Sequence, residues 1–181
     1  MTIISNRNEA IIVGRLAEII ALQYGVRPDA ARQIRSAATL HDIGKQKIPA
    51  EILNKPGKLT AQEFDVIKTH TVLGAEMLTS IQGELGVMAR VCCEFHHEWY
   101  DGNGYWGRRM GDLPFYVPFV AISDVFTALV TKRVYKEPWP PLEAMDYIQE
   151  KAGTQFDPKL AEVFLWLIRH DGRVKALFDG R

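Results

Sequence analysis

The sequence has no excess of charge: 22 Lys and Arg stand against 22 Asp and Glu in 181 residues. A chain without a net positive field lacks the basic surface that holds DNA or RNA. It has no long apolar run either; none approaches the roughly 20 residues that a bilayer span needs. Met1 to Ala10 lacks the basic start and apolar stretch of a secretory signal. Cysteine is nearly missing. Cys92 and Cys93 are adjacent and form no disulfide framework, which points to a reducing cytoplasm. Strand-like alternation is absent apart from a short stretch at Phe115 to Val117, and no repeat or low-complexity segment occurs. What is present, 47% apolar residues and 24% charged ones, suits one globular domain over residues 1–181.

The dominant period is helical. Ile12, Leu16, Ile19 and Ile20 form an apolar stripe, and Pro28 and Asp29 open a second helix that runs toward Gly44. Thr60 and Glu63 make a capping box ahead of a helix with Phe64, Ile67, Met77 and Leu78 on its core side. Leu85, Met88, Val91, Cys92 and Phe95 mark a fourth helix, Pro118 to Leu129 a fifth, and Leu142 to Lys151 a sixth. Asp157 and Pro158 start the last, as N-cap and first helical residue. The expectation is an all-α bundle of about seven helices. Between Glu98 and Leu113 lies a loop with Gly102, Gly104, Gly107 and Gly111, longer than a compact domain keeps without a functional reason.

Four histidines and two aspartates stand out. His41 and Asp42, then His70, then His96 and His97, then Asp124 follow one another with 27, 25 and 26 residues between them. Each interval is about one helix and one loop, so successive helices can bring these groups to one point, as metal-binding bundles do. His41, Asp42 and Asp124 stand among apolar neighbours, where an unpaired carboxylate would be costly. A metal accounts for several of them together. Four imidazoles and two carboxylates exceed what one ion needs and suit an oxygen-bridged pair. His170, at the end of the last helix, fits a charge at the helix dipole and takes no part.

In order along the chain, the motifs His41-Asp42-Ile43-Gly44-Lys45, Ile52 to Thr60, Lys68-Thr69-His70 and His96-His97-Glu98 resemble the HD-GYP family of HD-domain metal phosphohydrolases. So do Asp101-Gly102-Asn103-Gly104-Tyr105, Ile122-Ser123-Asp124-Val125-Phe126 and Gly153 to Pro158. The resemblance runs from about Arg15 to Leu165. It implies an all-helical HD fold, two divalent metal ions (iron or manganese first, then magnesium, nickel or zinc), and hydrolysis of cyclic di-GMP. By the same resemblance Asp42 bridges the metals, His41 and Asp124 belong to one, and His70, His96 and His97 to the other. Asp42 and Lys45 would carry the catalysis. Lys45 and Arg133 match positions that meet the substrate phosphate, while Gly104 and Tyr105 belong to a signature loop tied to substrate access and to contacts with GGDEF cyclase domains. Self-association into a homodimer is also compatible with it.

Three departures from the family pattern stand in this chain. A metal-binding His expected three residues before Arg15 is Ile12, and Asn8 stands near the position of an upstream Glu. The signature Pro after Tyr105 is Trp106, and an Arg-Pro pair reads Arg133-Val134. Isobutyl cannot ligate, so one metal would bind with fewer protein ligands unless a neighbour such as Glu9 compensates. Two expectations of different class follow: a metal-dependent cyclic di-GMP phosphodiesterase weakened at Ile12, or an inactive metal- or nucleotide-binding signalling module.

Overall fold

A computed structural model of the protein describes residues 7–132 and 137–178, and the regular structure in them is helical. The α-helices are α1 (Arg7–Gln23), α2 (Pro28–Ala38), α3 (Ala50–Leu53), α4 (Ala61–Lys68) and α5 (His70–Met77). They continue as α6 (Gly83–Phe95), α7 (Val117–Val130), α8 (Pro141–Glu150), α9 (Pro158–His170) and α10 (Gly172–Phe178). Two 3-10 turns, Ile43–Lys47 and Met110–Asp112, complete the set. The only β feature among the described residues is an isolated bridge between Ala152 and Phe156. Phe115 to Val117 is a turn that leads into α7 and not a strand.

The all-α expectation holds, but the helices are more numerous and shorter than the apolar period suggests. The stretch from Thr60 to Leu78 is two helices that meet at Thr69. The Thr69 hydroxyl donates to the carbonyl of Val66 at 2.7 Å, a side-chain bond of the kind that bends helices. The Thr60–Glu63 capping box is present, and the Glu63 carboxylate also takes Lys55 at 2.7 Å. Because the chain bends away at α4, Phe64 is exposed rather than on the core side, whereas Leu78 beyond α5 is buried. Helix α2 stops at Ala38, short of Gly44, and a turn carries the chain into Ile43–Lys47. Helices α3 and α10 span four and seven residues, too short to show an apolar period.

Helix α1 lies at the centre of the packing. Leu16, Ala17, Ile20 and Ala21 are fully buried, and α1 packs against α2 and α7. Helix α2 packs on α6 and α6 on α5. Phe126 of α7 meets Phe164 of α9 and Phe178 of α10 edge to face, with ring centroids at 5.2 and 5.6 Å. Each fully buried Leu, Ile or Phe contributes about 1.5–3 kcal/mol. Cys92 and Cys93 belong to this core as free thiols; burial pushes the Cys93 thiol up to about 12, so it stays unionised.

This packing brings four separate segments together: the turn after α2 with its 3-10 continuation, the start of α5, the end of α6 and the middle of α7. The close contact between the Ile43–Lys47 turn and α5 depends on Gly44. A Cβ there would overlap the carbonyl oxygen of His70 and lie 2.5 Å from the amide nitrogen of Gly74. Gly44 is therefore not a helix stop but the point where two backbones meet, and it sets Asp42 beside His70.

Candidate metal centre

His41 and Asp42 lie in the turn after α2, His70 is the first residue of α5, His96 and His97 follow the last turn of α6, and Asp124 is on α7. The structure brings all six together. Ligand atoms of Asp42, His70, His96 and His97 lie within 4.8 Å of one another, as do those of His41, His96 and Asp124. The Asp42 carboxylate faces both sets. Its Oδ1 lies 3.2 Å from Nε2 of His70 and 3.7 Å from Nε2 of His96. Its Oδ2 lies 3.4 Å from Nε2 of His41, which is itself 3.4 Å from Oδ1 of Asp124.

Three imidazoles are fixed the same way. Nδ1 of His41 is 2.7 Å from the carbonyl of Ala38, Nδ1 of His70 is 2.7 Å from that of Ile67, and Nδ1 of His96 is 2.9 Å from that of Cys93. A carbonyl only accepts, so each Nδ1 carries a proton and each Nε2 is the atom turned toward the carboxylates. Those Nε2 atoms converge with the Asp42 and Asp124 oxygens. Nε2 of His41 and Oδ1 of Asp42 are buried without a hydrogen-bond partner. A bound cation satisfies such a set, and mixed imidazole and carboxylate donors suit divalent transition metals.

The titration behaviour follows. Burial alone would lower the pKa of His41, but the charge of Asp42 and the Asp124 and Asp42 carboxylates 3.4 Å from its Nε2 outweigh it and raise it to about 10. Burial disfavours the Asp42 carboxylate, yet the Lys45 and His41 charges hold it well below its usual range. Asp124 is lowered likewise against its burial, chiefly by His41. Burial, reinforced by neighbouring imidazoles, pushes His96 well down, and burial takes His97 to about 4. In the metal-free chain a proton on His41 and the ammonium of Lys45, 2.5 Å from Oδ2 of Asp42, therefore balance the carboxylates.

The loop after α6 closes over this centre and is held there by Glu98, Gly104 and Tyr105. Glu98 is 1% exposed and spends its carboxylate on the loop backbone: Oε1 accepts from the amide of Trp106 at 2.7 Å and Oε2 from that of Arg108 at 2.6 Å. A Cβ on Gly104 would lie 2.5 Å from Cα of Glu98, so glycine lets the loop press onto that backbone. The amide of Tyr105 donates to the carbonyl of His97, and the Tyr105 ring covers the His97 ring at 4.4 Å and 34°. Further out, Tyr100 and Asp101 donate their amides to the carbonyls of Gln155 and Thr154. The Gly153 to Pro158 motif thus braces the loop. The signal for Glu98 is a charged residue beside two histidines; its partners are distant backbone amides that no side-chain pattern encodes.

The HD domain family profile matches residues 2–160. The chain belongs to the HD domain family, in its HD-GYP branch. It is 40% identical over 154 residues to a 3'3'-cGAMP-specific phosphodiesterase 2 of Vibrio cholerae, covering 84% of this chain and 30% of the relative. It is 38% identical over 154 residues to the cyclic di-GMP phosphodiesterase response regulator RpfG of Xanthomonas campestris, covering 84% and 41%. A Thermotoga maritima cyclic di-GMP phosphodiesterase is 38% identical over 156 residues, covering 86% and 42%. The chain thus spans less than half the length of these relatives. In fold it is similar to the HDG"Y"P protein Bd1817 of Bdellovibrio bacteriovorus, with a TM-score of 0.71 at 17% identity over 89% of this chain and 51% of that one. It is also similar to the PgpH HD domain of L. monocytogenes in complex with cyclic-di-AMP, at 0.65 and 23% over 96% and 91%.

HD domains bind divalent metals, and the donor set of this HD-GYP domain fits them. Among the residues that depart from the branch, Ile12 is buried at 7% exposure but lies outside the contiguous core that holds Val13 and Leu16. Asn8 and Glu9 do not join either ligand set. They line a separate cavity of about 930 Å³ with Phe126, Trp139 and Met145. Phe126 is two residues past Asp124 and so on another face of α7. Glu9 thus does not stand in for the missing histidine. Arg15 is exposed. Arg133 and Val134 lie outside the described residues. His170 stays apart from the centre, stacked on Trp166 at 5.1 Å. Among the described residues no helix is long and apolar enough to cross a membrane.

Proposed function

We propose that this domain hydrolyses the phosphodiester of a purine cyclic dinucleotide, cyclic di-GMP first, with two divalent metals, iron or manganese, held by His41, Asp42, His70, His96, His97 and Asp124. One observation carries the reading: three imidazoles whose Nδ1 atoms are committed to backbone carbonyls aim Nε2 at the two oxygens of Asp42. Metals in such a site lower the pKa of water and stabilise the charge that grows on a phosphate.

The chain's own residues supply the rest. Asp42 faces both ligand sets and gives each one oxygen. Lys45, on the Ile43–Lys47 turn, stands at the Asp42 edge of the centre, where its ammonium could turn to a phosphate oxygen of the substrate. Arg133 is assigned the second phosphate contact by the family pattern. Tyr105 has its pKa pushed to about 12 by burial and by Asp124 and Asp42, so its hydroxyl stays protonated and can donate to substrate. Gly104 and Glu98 hold that tyrosine over His97 and exclude water from one side.

The test is incubation of the manganese- or iron-loaded protein with cyclic di-GMP and 3'3'-cGAMP, products being resolved by chromatography. Turnover of one or both is expected; none above a metal-only blank, with metal bound, overturns the reading. Ile12 favours a second reading, a nucleotide-binding module of little activity that signals to a GGDEF-type partner. Brisk turnover abolished by Asp42→Ala removes it.

A further inference from the structure

We propose that Trp106 is the surface on which this site stacks a purine base of its substrate, an assignment that rests on the cyclic dinucleotide reading above. The indole is 42% exposed, yet it is not free to swing. Its Nε1 donates to Oγ1 of Thr71 at 3.1 Å, and its backbone amide donates to Glu98 at 2.7 Å. Thr71 is fully buried and follows the ligand His70 directly. Ring and backbone are thus anchored at both ends while much of the ring stays open beside the metal centre. Where the branch has a stiff but featureless proline, this chain has an aromatic ring tied down by hydrogen bonds.

The neighbouring rings extend the surface. Tyr105 covers His97, and Phe64, itself 41% exposed, meets the Tyr105 ring at 5.8 Å and 82°. Lys68 places its ammonium 5.2 Å from the Phe64 centroid. Trp106, Tyr105 and Phe64 thus set an aromatic surface at this mouth. A purine held beside its phosphate reaches a π surface whose orientation is already fixed, so little side-chain freedom is lost on binding. Stacking tolerates any base, so Trp106 contributes affinity for guanine and adenine alike and does not choose between them.

The test is steady-state kinetics on the metal-loaded chain with cyclic di-GMP and 3'3'-cGAMP. Trp106→Ala is expected to raise KM about 5- to 100-fold for each dinucleotide turned over, the cost of one lost base stack, with kcat changed less than about threefold. Trp106→Phe keeps a ring and recovers most of the loss, whereas Trp106→Leu, of similar apolar bulk, does not. Thr71→Val frees the indole and raises KM by less than Trp106→Ala. Should Trp106→Ala fail to fold, the Phe and Leu pair decides alone: equal KM values overturn the assignment. A KM in Trp106→Ala within about twofold of an active wild type, or a fall confined to kcat, also overturns it. If the wild type turns over neither dinucleotide, the substrate reading falls first and takes this assignment with it.

Discussion

Asp42 and His70 meet at 3.2 Å, Oδ1 to Nε2, because Gly44 lets the turn after α2 lie against the first residue of α5. That contact joins the two ligand sets through one carboxylate. Asp42→Asn keeps the volume but replaces one acceptor oxygen with a donor amide and removes the charge. The expected result is less than one metal per chain by elemental analysis. Turnover should fall by at least roughly 100-fold, beyond the 10- to 100-fold that loss of an outer partner costs. Near-normal metal content in this variant would show that Asp42 does not hold the centre together.

The two ligand sets differ in how they meet protons. In the metal-free chain His41 has its pKa raised to about 10, so at pH 7 its Nε2 is protonated and must lose that proton before it ligates. His96 and His97 are held down by burial, His97 to about 4, and are neutral at that pH. Affinity of the His41 and Asp124 set should therefore rise with pH, by up to about tenfold per unit between roughly 7 and 10, and level off above. The other set takes no proton from His96 or His97 over this range. Manganese titrations by calorimetry at about pH 6.5 and 8.5, in buffers of different ionisation enthalpy, should resolve one proton-releasing step. Two steps with the same pH response would contradict the assignment.

The sequence disclosed the clustered histidines and aspartates more readily than their setting. His41, Asp42, His70, His96, His97 and Asp124 are legible because they recur about one helix and one loop apart, several of them among apolar neighbours. The helix count was less legible: the bend at Thr69 comes from a hydroxyl turned back to the carbonyl of Val66, and an apolar period passes straight over it. That bend is also why Phe64 faces the site mouth and not the core. Gly44 reads equally well as a helix end or as a close approach, and only the position of α5 separates the two. Glu98 looks like a surface carboxylate beside two histidines, yet it is buried because its partners are backbone amides eight and ten residues on.

Glu98→Gln tests that loop anchor. Glutamine has one acceptor oxygen where two amides need one each, so one partly buried N–H loses its partner and meets an amide donor, at a cost of up to about 1–3 kcal/mol. The melting temperature should drop by several degrees at this chain length. Because the amides released belong to Trp106 and Arg108, beside Tyr105, KM should rise while metal content stays at the wild-type level. A variant that loses metal instead would place Glu98 in the centre and not in the loop.

Ile12→His restores the imidazole that the family pattern puts on α1, and its outcome depends on where that side chain points. Ile12 is buried, so an imidazole there with no partner leaves a polar group unsatisfied and destabilises the metal-free protein by about 1–3 kcal/mol. If the ring reaches the His41 and Asp124 set, manganese should return that stability and more, because a ligand that binds only the folded state shifts the equilibrium by mass action. The expected signature is a variant less stable than wild type in chelator and more stable in excess manganese. Its second metal should bind at least about tenfold tighter, and turnover should rise with it. Destabilisation in both conditions would mean that position 12 faces away from the centre.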